Sequence, residues 1–123
     1  MARFRLSLLA QADVAQILGA SSELWGSQGR RRYEALLAAS MRKVAAEPKG
    51  PTTRDRGDLS RGIRSFHLRH ARTGATEAKV RRPVHVLYYR VIRRGLVEIV
   101  RVLHERMEPS RHIESDQKGE PSW

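Results

Sequence analysis

Arg90, Arg101 and His104 are residue types that bind or transfer charged groups, and they sit close together along the chain. Two guanidinium groups on an apolar platform can grip a carboxylate or a phosphate through paired, charge-assisted hydrogen bonds. Tyr88 joins the set if it lies opposite Arg101, where its ring can stack on the guanidinium. A histidine beside them could serve as an acid or a base. The competing reading is internal: the two arginines neutralise Glu98 or Glu105 and do nothing else. Which holds depends on how two strands pair.

Other constellations are weaker. His67 and His70 would point to opposite faces of a strand, so they cannot easily share a metal ion. No Cys or nearby acid completes a site, and no metal or cofactor is expected. Glu47, Asp55 and Asp58 surround a loop that also holds Arg54, Arg56 and Arg61, which reads as a solvated mixture of charges. The run Gly57-Asp58-Leu59-Ser60-Arg61-Gly62 lacks the Lys-Ser/Thr element and the following helix of a phosphate-binding loop.

The elements that must position the arginines lie between Pro83 and Leu103. Two runs rich in Val, Ile, Leu and Tyr flank Arg93-Arg94-Gly95, which is a hairpin signal. A turn at Arg94-Gly95 pairs Arg93 with Leu96, Tyr88 with Arg101 and His85 with His104. Strict alternation then puts Leu87, Tyr89, Val91, Val100 and Val102 on a core face, with His104 on that side. The other face carries Val86, Tyr88, Arg90, Ile92, Val97, Ile99, Arg101 and Leu103. A sheet apolar on both faces must be covered on both. In so short a chain, one cover is expected from another molecule. The expected partner-binding set is Val86, Tyr88, Arg90, Ile99, Arg101 and Leu103.

Earlier in the chain, Phe4 to Leu8 fits a short strand, and Ser7 is placed to cap a helix. Val14, Ile17, Leu18, Leu24 and Trp25 recur at helical spacing. Gly26-Ser27 breaks the pattern. A second helix carries Tyr33, Leu36, Leu37, Met41 and Val44 on one face and ends before Pro48. Together they read as a helical hairpin with Trp25 and Tyr33 as core aromatics at the join. Lys49 to Gly62 reads as a loop, Ile63 to Arg69 as a strand, and Arg72 to Arg82 as a polar loop. Glu105 to Ile113 is expected to fold back on the domain. Glu114 to Trp123 has little to bury and is expected to be disordered. The expected fold is one α+β domain over 1–113, β-α-α-β-β-β, with the helical hairpin on one face of an antiparallel sheet.

Composition sets the class of partner. The chain has 123 residues, a net charge of +11 and a pI near 11.3. That field attracts nucleic acid, acidic protein segments or anionic surfaces. The absence of cysteine fits a reducing cytoplasm. No apolar run reaches the ~20 residues that span a bilayer. Leu6 to Ala10 is too short for the core of a signal peptide.

The series His85-Val86-Leu87-Tyr88-Tyr89-Arg90-Val91, then Val97 to His104, then Met107-Glu108-Pro109-Ser110-Arg111-His112-Ile113, resembles the C-terminal half of ParE toxins. These belong to the RelE/ParE superfamily of toxin–antitoxin systems. The resemblance implies the fold above, a cytoplasmic hetero-oligomer with an acidic, amphipathic ParD-like antitoxin, and inhibition of DNA gyrase by binding rather than catalysis. The alternative is a RelE-like ribosome-dependent mRNA endoribonuclease. Such enzymes hold an Arg just before the Leu-Val-Tyr run of the third strand, where this chain has Val86. Only four lysines are present, none in the Ile63–Arg69 strand or the hairpin. Both departures favour the ParE reading.

Overall fold

The computed structural model describes residues 2–74, 80 and 82–114. The expected disordered tail after Glu114 and much of the Arg72–Arg82 loop lie outside them.

Ser7 joins the first two elements. Strand β1 (Arg3–Leu6) ends at it and helix α1 (Leu8–Ala46) starts from it. Its backbone is extended, its Oγ accepts from the Ala10 amide at 3.0 Å, and the same hydroxyl donates to the Val100 carbonyl at 2.7 Å. One short side chain therefore caps the helix and fastens it to the sheet.

Helix α1 is broken at Gly26, where φ 72 and ψ −172 are not helical. A left-handed φ of this kind favours glycine. Unbroken, 39 residues would extend ~58 Å. Instead the two ends meet one strand pair. The Ser7 amide donates to the Ile99 carbonyl at 3.0 Å, and the Tyr89 hydroxyl donates to the Pro48 carbonyl at 2.5 Å. Tyr89 and Ile99 are cross-strand partners, so the helix must double back, and Gly26 is where it does.

The sheet has five strands in the order β1-β5-β4-β3-β2. These are β2 (Thr53–Asp55), β3 (Arg64–His67), β4 (His85–Arg93) and β5 (Leu96–His104). Two expectations are corrected here. The sheet is mixed, because β1 runs parallel to β5. The Lys49–Gly62 stretch also supplies an additional short strand, β2, which pairs antiparallel with β3. Between β3 and β4 the chain makes a 3-10 turn over Leu68–Gly74. Among the described residues, no helix is long and apolar enough to cross a membrane.

The hairpin turn is Arg94-Gly95, with Gly95 at φ 83. The pairs Arg93–Leu96, Tyr88–Arg101 and His85–His104 all form, but with register shifts between Tyr88 and Tyr89 and between Val91 and Arg93. Tyr88 faces Arg101 while Tyr89 faces Ile99, so Val100 has no partner of its own. This β-bulge reverses the alternation beyond it. Val97 and Ile99 turn to the helix side and join Leu36, Leu37, Val44, Phe66, Leu87, Tyr89 and Val102 in the main core. Val100 turns to the opposite side. Strict alternation placed these three residues on the wrong faces.

The second face has its own small core. Leu59 and Ile63, from the loop before β3, and Ile113, from the tail, close over Tyr88 and Leu103. Loop hydrogen bonds from Arg56 N to Ile63 O at 2.8 Å and from Ile63 N to Ser60 O at 3.1 Å hold that cover. The tail is held by Ile113 N donating to Pro109 O at 2.9 Å. Much of the cover expected from another molecule thus comes from the chain itself.

Candidate binding face

The six residues expected on one partner-binding surface do not share one. Ile99 is fully buried on the helix side, because the bulge turned it there. Tyr88 and Leu103 lie on the expected face but are buried under Leu59, Ile63 and Ile113. Burial pushes the Tyr88 hydroxyl pKa up, with the neighbouring Arg56 acting in the opposite direction. Val86 and Arg90 keep partial exposure.

Arg101 is occupied. Its Nε and Nη2 donate to the two carboxylate oxygens of Asp13, each at 2.8 Å, and its Nη1 donates to the His112 carbonyl at 2.9 Å. Asp13 Oδ2 also accepts from the Val102 amide at 2.9 Å. The carboxylate therefore satisfies a backbone donor on β5 beyond the end of β1, while the guanidinium ties helix, strand and tail together. An intermolecular grip by Arg101 is replaced by this internal one. Neither acid considered from the sequence is its partner. Glu98 pairs with Arg5 at 3.1 Å and Glu105 with His67 at 2.7 Å. Asp13 carried no sequence signal, being a polar position in the first helical half with no periodic relation to β5.

Arg90 differs. Its Nε is shielded from solvent and has no hydrogen-bond partner among the described residues. Glu98 stands directly across on β5, but Arg5 on β1 holds its carboxylate. Phe4 and Leu6 pack into the main core, so Arg3 and Arg5 face the other way, toward the Arg90 side. This half of the second face therefore presents Arg3, Arg5 and Arg90 around a single glutamate, with Val100 partly buried alongside.

The histidines gather at the other end of the hairpin. His85 and His104 face one another with ring centroids 5.6 Å apart. The Tyr33 hydroxyl lies 2.6 Å from His85 Nδ1 and accepts from the Val84 amide at 3.3 Å. Burial, reinforced by the neighbouring His104, holds the His85 pKa down at about 4; burial raises that of Tyr33 to about 12. His85 is therefore neutral near pH 7. His104 is half-buried on the helix side, as expected, and its Nδ1 accepts from the Arg106 amide at 3.0 Å. Arg90 and His104 are thus separated by most of the hairpin and lie on opposite faces. His67 is engaged by Glu105, and His70 packs beside Phe66. Among the described residues, no three His, Cys, Asp or Glu side chains come together to hold a metal ion.

Tyr33 is buried as expected, but Trp25 is not a core residue: it is 66% exposed and its neighbour Leu24 is 69% exposed. Helical spacing placed both on the apolar stripe, but at the end of the first helical half both are left mostly in solvent.

Comparison with known proteins supplies the frame. Residues 4–109 match the family model described as ParE toxin of type II toxin-antitoxin system, parDE. A protein named Toxin ParE1 from Caulobacter vibrioides is 32% identical over 113 residues, covering 92% of this chain and 99% of that protein. A Toxin ParE1 from Mycobacterium tuberculosis is 29% identical over 111 residues, covering 90% and 97% respectively. Among solved structures, a chain titled "Chromosomal ParDE TA system from P. aeruginosa" shares the fold, with a TM-score of 0.60 and 15% identity over 85% of this chain and 96% of that one. A family match across nearly the whole described domain, with two curated relatives that align almost end to end, places this chain in the ParE toxin family of type II toxin–antitoxin systems.

Proposed function

We propose that the chain acts by binding DNA gyrase, and that a ParD-like antitoxin with an acidic, amphipathic C-terminal segment neutralises it. The observation that supports this most is Arg90, a partly exposed residue whose Nε is shielded and has no hydrogen-bond partner among the described residues. An unmade hydrogen bond on a shielded charged donor costs ~1–3 kcal/mol, and a partner carboxylate would recover it. Arg3 and Arg5 beside it raise the local positive potential, and the +11 charge speeds encounter with an acidic segment. Of the six residues expected at the partner surface, Arg90 and Val86 are the two proposed to touch the antitoxin. Tyr88, Leu103, Ile99 and Arg101 support the strands beneath them.

The separation of Arg90 from His104 supports binding over chemistry. Cleavage at a ribose 2′-hydroxyl needs a base, an acid and cations converging on one phosphate. Here Arg90 and the facing His85 and His104 lie at opposite ends of the hairpin. The test is purified protein with gyrase and supercoiled plasmid, run beside ribosome-bound mRNA. Loss of supercoiling activity that the antitoxin reverses is expected. Codon-specific mRNA cuts with gyrase unaffected would establish the RelE-like alternative instead.

A further inference from the structure

The reversal inside α1 holds more than a turn requires. Leu24 and Trp25 are large apolar residues left mostly in solvent, and two glycines shape their surroundings. Gly26 takes a left-handed φ of 72. A Cβ at Gly29 would lie 2.3 Å from the Trp25 Cβ, so any side chain there would push the tryptophan aside. Exposed Arg30, Arg31 and Arg32 follow directly, against the flanking acids Glu23 and Glu34. The chain thus holds a paired apolar knob beside a cluster of cations.

We infer that the Leu24–Trp25 knob is the surface through which this toxin grips its target protein, entering an apolar pocket rimmed with carboxylates. This inference rests on the toxin reading but not on gyrase being the target. Tryptophan and arginine dominate the residues that carry binding energy in protein interfaces. The presence of Leu24 favours a protein pocket over nucleic acid, where stacking uses flat rings and the rest of the interface is polar. A second copy of the chain is disfavoured, because each copy carries +11 and would bring its own arginines to the contact. The knob belongs to the helical turn, whereas Arg90 belongs to the hairpin strands. Target and antitoxin would therefore use different surfaces.

The experiment uses the full chain and the double variant Leu24→Ala, Trp25→Ala, with Trp123→Phe made in a separate chain so that Trp25 alone fluoresces. Both variant side chains are exposed, so thermal unfolding stays at the wild-type midpoint. Binding to the product of the neighbouring antitoxin gene, measured by calorimetry, also stays at the wild-type value. Growth arrest on induction weakens by about tenfold or more in the toxin level required, as expected for loss of a central aromatic anchor. Trp25 emission in the free chain is that of a solvated indole. A double variant that arrests growth like wild type overturns the inference and leaves the toxin reading intact. So does a variant that loses antitoxin binding in parallel, or a free-chain emission typical of a buried indole. If wild type arrests growth without affecting gyrase, the gyrase proposal falls and the knob is still judged by the variant. A wild-type chain that leaves growth unaffected removes both. Competition by a single-stranded oligonucleotide that is lost in the double variant would mark the knob as a nucleic-acid contact and refute the protein pocket.

Discussion

Replacing Arg101 by alanine should unfold this protein far more readily than replacing Arg90. The Arg101 and Asp13 side chains are only 15% and 12% exposed, and the pair is bidentate. Removing the guanidinium leaves the Asp13 carboxylate poorly solvated, with only the Val102 amide as partner, and strips a donor from the His112 carbonyl. Breaking a fully buried pair from one side costs ~3–5 kcal/mol. Residual exposure and the retained amide bond reduce this to roughly 2–3 kcal/mol. In a domain of this size that lowers the melting temperature by roughly 8–12 °C. Urea unfolding with linear extrapolation measures it. Asp13→Ala should cost a similar amount. The double variant should cost less than the sum of the singles, with a coupling of ~1–2 kcal/mol. A loss below ~0.5 kcal/mol in Arg101→Ala, or additive single effects, would refute the internal staple and return Arg101 to the partner surface.

Three further outcomes follow from the same geometry. Arg90→Ala removes a shielded donor and should leave the fold no less stable than wild type, yet weaken antitoxin binding by roughly 2 kcal/mol; calorimetry beside urea unfolding separates the two. Acid should destabilise the fold through His85, whose folded pKa of about 4 lies below its ordinary 6.5. The unfolded chain takes up that proton first, so stability is complete above the ordinary value and is lost as pH falls toward the folded one. Solvent reaching the ring limits the loss to roughly 2 kcal/mol, and His85→Gln should flatten this part of the stability–pH profile. Ile113→Ala should cost ~2–3 kcal/mol and expose Tyr88 to solvent, seen as a blue shift with a negative near-ultraviolet difference band; an unchanged midpoint would show that the tail does not cover the second face.

Much of the fold was legible because it is written in local terms. The hairpin turn needs a positive φ between two β-rich runs, and Arg94-Gly95 supplies it. The Ser7 cap, the break at Gly26 and the inward stripe of Tyr33, Leu36, Leu37, Met41 and Val44 all depend on neighbours within a turn or two. The ParE likeness was legible in the hairpin and the segment after it. Residues set apart in sequence were harder to read. The direction of β1 depends on pairing with the last strand, which no local pattern encodes. Leu59, Ile63 and Ile113 are single apolar residues in polar segments, so nothing periodic marked them as a cover. Trp25 obeyed the helical spacing and still ended in solvent.

The two arginines show where the boundary falls. Their place on one hairpin, and the cross-strand pair of Tyr88 with Arg101, follow from the turn alone. Their different fates come from a bulge of one residue at Val100 and from an aspartate 88 positions away. Val100 resembles the other β-branched residues of its strand, so one-dimensional alternation cannot tell which of them drops out of the pairing. Asp13 resembles any helical carboxylate until the helix is laid beside the unpaired edge of β5. Local residue types determined the elements and the family. Which of the two arginines is tied down internally was decided only when distant charges and backbone donors were brought within hydrogen-bonding distance.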